Sequence, residues 1–152
     1  MLSAQERVNL VETESRRMEE YLGSLAANAW DQPSKCSLWS VADVLAHLTW
    51  AADYFLATIS RGIKGDVSPP DDWPEPGTFG PEFFNDFIAQ KAIEARKTLG
   101  DGLVQEFQAR NQRLQELIAA VDPDDLDIPC YGPFATRGRK STRLKSSHVV
   151  TS

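Results

Sequence analysis

Long runs of apolar residues at helical spacing, separated by proline and glycine, constrain this chain more than any other feature. Val8, Val11, Met18, Leu22, Leu25 and Ala29 recur three or four positions apart, and Ser3 with Glu6 forms a capping box ahead of them, so a first helix is predicted over about residues 4–28. "WDQPSKCSLW" interrupts the pattern with Pro33 and ends at Ser40, which with Asp43 resembles a second capping box. The helix that follows should run over about 41–60. Between Gly62 and Pro81 stand five of the nine prolines (Pro69, Pro70, Pro74, Pro76 and Pro81), which leave a long loop. Trp73 and Phe79 are expected to pin that loop onto the body, ahead of a role as a lid.

Residues 81–99 begin with proline at a plausible first helical position and place Phe83, Phe84, Phe87 and Ile88 on one broad face. "GDG" at 100–102 reads as a kink or a true break. Beyond it Leu103, Phe107, Leu114, Leu117, Ile118 and Val121 continue the helical spacing until "DPDD". No run alternates apolar and polar residues at any length. The class is therefore all-α, an antiparallel bundle of three or four long helices.

With 152 residues, 41% hydrophobic and 25% charged, the chain suits one core, assigned to residues 1–136. The net charge of −6 is uneven: residues 137–152 carry Arg137, Arg139, Lys140, Arg143 and Lys145 and no acid, so residues 1–136 hold 11 basic against 22 acidic groups. An acidic body repels nucleic acid and anionic membrane, and a short basic tail without interleaved aromatics is a poor nucleic-acid binder. No stretch reaches the ~18–20 apolar residues of a membrane span, and acids occupy the place of a signal peptide's apolar run, so a cytoplasmic protein is expected. Cys36 and Cys130 fit no CxxC pair, and reduced thiols are expected.

On the second helix, Val41, Val44, Leu45, Leu48, Ala52, Phe55, Leu56 and Ile59 form one stripe, the expected core face. His47 falls about 110° away at ~100° per residue, on a second patch with Trp50, Ala51 and Tyr54. A solvent-facing flank rarely carries Trp and Tyr beside His, so this helix should contact something on both sides. By composition alone, a lone histidine here is several-fold more often packed or hydrogen-bonded than a ligand.

Cys36, Trp39, Ser40, Asp43, His47 and Leu48 match the pattern C-x-x-W-S/T-x-x-D/E-x-x-x-H-L. In this the chain resembles the DinB-like superfamily, closest to the N-terminal domain of mycothiol-dependent maleylpyruvate isomerases. The resemblance implies a four-helix bundle with a divalent metal, zinc or nickel, held by the histidine matched by His47 and by an E-x-x-x-H or H-x-x-x-H pair on a fourth helix. It also implies a low-molecular-weight thiol such as mycothiol, activated for isomerisation or transfer. Ligands at i and i+4 share a helical face, and a metal stabilises a thiolate at neutral pH.

The sequence departs from that pattern at its C-terminal end. His148 stands at about the distance of the last ligand, but Leu144, four residues earlier, cannot bind a metal. Residues 137–152 lack apolar helical periodicity and read as an altered or non-native tail, in which His148 is only a doubtful second ligand. Three helices without a fourth would leave apolar surface in water at ~25 cal/mol per Å², which predicts a homodimer or higher oligomer. Two functions follow. One is a metal-dependent thiol transferase or isomerase with His47 and His148 as ligands, and Trp50 and Tyr54 lining the pocket for thiol or small-molecule substrate. The other is a non-catalytic bundle that has lost the metal triad and acts as a ligand-binding or interaction module.

Overall fold

The computed structural model describes residues 2–73, 75, 80–122, 125–126 and 128–132. They form four α-helical segments: α1 (Ala4–Ser24), α2 (Val41–Ile63), α3 (Pro81–Leu99) and α4 (Leu103–Ala120). No strand occurs among these residues, in agreement with the all-α expectation. The region expected to hold the family's fourth helix, including Leu144 and His148, lies from 133 onward, outside the described residues.

Both predicted capping boxes form. Ser3 accepts from the Glu6 backbone while Glu6 accepts from Ser3 N–H, and Ser40 and Asp43 do the same at the start of α2. α1 ends at Ser24 rather than near 28, because Gly23 weakens the helix and the Ser24 hydroxyl donates to the Tyr21 carbonyl. Leu25 is then extended, and a 3-10 turn over Ala27–Ala29 turns Trp30 onto the core. α2 runs three residues past the expected 60 and stops at Ile63, where Gly65 adopts φ +78. The "GDG" is a true break: Gly100 takes φ +49, a left-handed conformation that glycine adopts freely, and the chain reverses.

Long-range pairs give the directions. Arg96 meets Asp43 and Phe87 meets Trp50, so α3 runs antiparallel to α2. Arg110 reaches Asp53, and Leu103 packs near Leu45, so α4 runs parallel to α2. Asn111 donates to Glu19, and Leu22 clusters with Leu103 and Phe107, so α1 runs antiparallel to α4. The closely packed pair is α2 with α4; α3 flanks α2, α1 flanks α4, and α3 and α4 diverge from their shared turn.

This arrangement corrects the expected core face of α2. The buried residues are Ala42, Leu45, Ala46, Thr49, Ala52, Thr58 and Gly62, whereas Phe55 is 48% exposed. α2 is packed on two sides, and small side chains let both neighbours approach its backbone closely. Of the expected stripe, Leu45 and Ala52 are buried and Leu48 packs against the core, whereas Val41, Val44, Leu56 and Ile59 are only half-buried. Thr49 is tolerated at the centre because its hydroxyl donates to the Leu45 carbonyl at 2.8 Å. Leu22, Leu45, Leu103 and Phe107 complete the core around these small residues.

Candidate functional site

His47, Trp50 and Tyr54 follow one another at i, i+3 and i+7, so they stand in a row along the flank of α2 that faces α3. The second contact surface expected for this helix is thus real. Trp39, on the connector before the α2 cap, sets its ring edge-on to His47 with centroids 5.4 Å apart. From the loop after α2, Trp73 stacks on Trp50 at 5.3 Å and 9°, and on Tyr54 at 4.3 Å. Phe87 of α3 and Tyr131 meet Trp73 edge-on. Trp73 therefore pins the loop, as expected; Phe79 lies outside the described residues.

His47 is half-buried, and its Nδ1 is fully buried with no hydrogen-bond partner among the described residues. Burial holds its pKa below the ordinary 6.5, so the ring is neutral at neutral pH and keeps a lone pair free to bind. A buried nitrogen without a partner is costly unless something completes it. Among the described residues, no three His, Cys, Asp or Glu side chains come close enough to hold a metal ion. His47 is therefore not joined by two further such donors among the described residues, and His148 lies outside them.

Trp50 and Tyr54 line a cleft of about 270 Å³ together with Asp53, Arg61, Asp71 and Trp73. His47 is not part of its lining; it sits one turn nearer the N-terminus of α2, behind Trp50. Arg61 anchors the cleft's outer wall by donating to the Pro69 carbonyl at 2.7 Å and to Asp71 at 3.1 Å. Burial pushes the Asp53 carboxyl up while its ion pair with Arg110 opposes the shift. Burial also pushes Tyr54 up to about 12, so its phenol stays protonated, and it donates to the Tyr131 carbonyl at 3.4 Å. Cys36 and Cys130 are both free thiols, as expected; burial raises the pKa of Cys130, which makes it a poor nucleophile.

The family model for the mycothiol maleylpyruvate isomerase N-terminal domain matches residues 11–143, most of the chain. The chain belongs to this family. That is a DinB-like domain, as the Trp39 to His47 pattern implied. No curated protein and no solved structure matches the chain significantly. In this family member, the row of His47, Trp50 and Tyr54 was legible in the sequence, whereas the partners that enclose it were not. Phe87 reaches Trp50 from 37 positions away and Tyr131 reaches Tyr54 from 77 positions away, and no local spacing marks them. The membrane expectation agrees to this extent: among the described residues no helix is long and apolar enough to span a bilayer.

Proposed function

We propose that this chain is a metal-dependent DinB-like protein that handles a low-molecular-weight thiol, as an isomerase or a transferase. The observation that carries the proposal is the buried, unpartnered Nδ1 of a neutral His47, set between the Trp39 and Trp50 rings in a chain that belongs to the family. His47 is the ligand that the described residues would contribute to zinc or nickel, and His148 is the candidate for a second. A bound divalent metal would supply stabilisation of a thiolate at neutral pH. The protein's part is to keep the imidazole neutral and aimed, to exclude water with Trp39 and Trp50, and to offer Trp50 and Tyr54 as the wall for thiol or substrate. The acidic residues 1–136 disfavour nucleic acid as a partner, and the homo-oligomer remains part of this proposal.

The test is metal analysis and zinc titration of the full chain. Near-stoichiometric zinc or nickel that disappears in His47→Ala, with His148→Ala weakening it at least tenfold, supports the metal reading. Leu144, standing where a ligand is needed, favours a second reading: a bundle that keeps the fold and binds ligands or partners without a metal. Metal-free protein with intact helical circular dichroism, unchanged by either histidine substitution, selects that second reading.

A further inference from the structure

Arg96, in the last turn of α3, takes no part in the site above, yet its guanidinium joins three elements. One terminal nitrogen donates to Ser40 Oγ at 2.6 Å and to Asp43 Oδ1 at 2.7 Å; the other donates to Asp31 Oδ1 at 2.9 Å. Ser40 and Asp43 are the capping box of α2, and Asp31 lies in the connector. The second Asp43 oxygen is also taken, accepting from Ser40 N–H at 2.9 Å and from Ser40 Oγ at 2.7 Å. A planar guanidinium suits such a fork, where a lysine could satisfy only part of it.

Trp39 stands between these anchors. Its carbonyl accepts from Ser34 N–H at 2.8 Å and its own N–H donates to the Cys36 carbonyl at 3.0 Å, while the next residue is the cap that Arg96 grips. Leu38, just before it, has φ +70 and a side chain 99% exposed. Leucine adopts that backbone only where its surroundings impose it, and nothing in the Leu38 side chain repays the strain. The strained turn does one visible thing: it directs the Trp39 ring back against His47, one helical turn beyond Asp43.

We infer that Arg96 is a positioning residue, which through Asp31, Ser40 and Asp43 holds the strained connector so that Trp39 closes over the His47 imidazole and fixes its direction. The functional half of this inference rests on His47 being a ligand; the structural half does not.

The experiment uses the full chain carrying 5-fluorotryptophan, with the Trp39 fluorine resonance assigned by Trp39→Phe. In Arg96→Met the Trp39 resonance should move to its solvent-exposed position while those of Trp50 and Trp73 stay, and Arg96→Lys should restore part of the shift. An unmoved Trp39 resonance in a folded Arg96→Met protein overturns the inference. Should Arg96→Met fail to fold, Asp31→Ala decides, since it removes one arm at a side chain 83% exposed: a smaller displacement of the same resonance supports the inference, and none overturns it. Zinc titration supplies the second readout. Arg96→Met should weaken zinc binding about tenfold, and Arg96→Met with Trp39→Phe should bind no worse than Trp39→Phe alone. Additive losses would overturn the route through Trp39. If the natural chain takes no zinc at all, the role of His47 fails while the fluorine shifts still judge Arg96.

Discussion

His47 is one of only two histidines in the chain, which makes its contribution to stability readable against pH. Its folded pKa lies below the ordinary 6.5 because burial opposes the charged ring. Below about pH 6.5 the unfolded chain takes up a proton that the folded one resists, so stability falls as pH drops through that interval and is fully present above it. Denaturant midpoints measured between pH 7.5 and 5 should therefore decline, and His47→Phe should flatten the decline. The Asp43 carboxyl separates cleanly from this. Burial pushes it up, but its bonds to Arg96 and Ser40 outweigh that and hold it below 3.8, so its stabilisation is lost only at still lower pH. At this scale the sequence marked His47, Trp50 and Tyr54 by spacing and motif. It could not mark Arg96, whose bonds to Ser40 and Asp43 span more than fifty residues.

The elements were legible where their signals are local. Capping boxes at Ser3 and Ser40, proline at 81 and glycine at 100 place the helix boundaries to within a few residues, because each acts through its own backbone neighbours. The burial of α2 was not, since its inward face is set by two flanking helices and favours Ala42, Ala46 and Thr49 over the larger aliphatics. Gly62 shows the same rule at the end of α2. A Cβ there would stand 2.7 Å from Cys130 Sγ and 2.9 Å from the Pro129 carbonyl, so Pro129 and Cys130 lie directly on the helix backbone. Gly62→Ala should cost about 1–3 kcal/mol despite its better helix propensity. Faster labelling of Cys130 by a thiol reagent at native pH would locate the cost in that segment.

For the whole molecule, stability concentrates in few large residues, because small side chains line so much of the central helix. Phe107 is 2% exposed and bridges α4 to the α2 core, so Phe107→Ala should lose roughly 3–5 kcal/mol and lower Tm by roughly 10 °C. A calorimetric scan checks this; a shift of only a degree or two would mean the core collapses around the cavity. The amino-acid sequence by itself determined helix positions, the all-α class and the row His47, Trp50, Tyr54, since periodicity, caps and breakers act over a few residues. The sequence also indicated that α2 is contacted on two flanks and that Trp73 pins its loop. Tertiary structure alone decided that α3 and α4 are those neighbours, that Phe87 and Tyr131 join Trp73 around that row, and that Arg96 ties α3 to the connector. Those facts depend on which distant surfaces exclude water together, and local spacing along a chain carries no record of that.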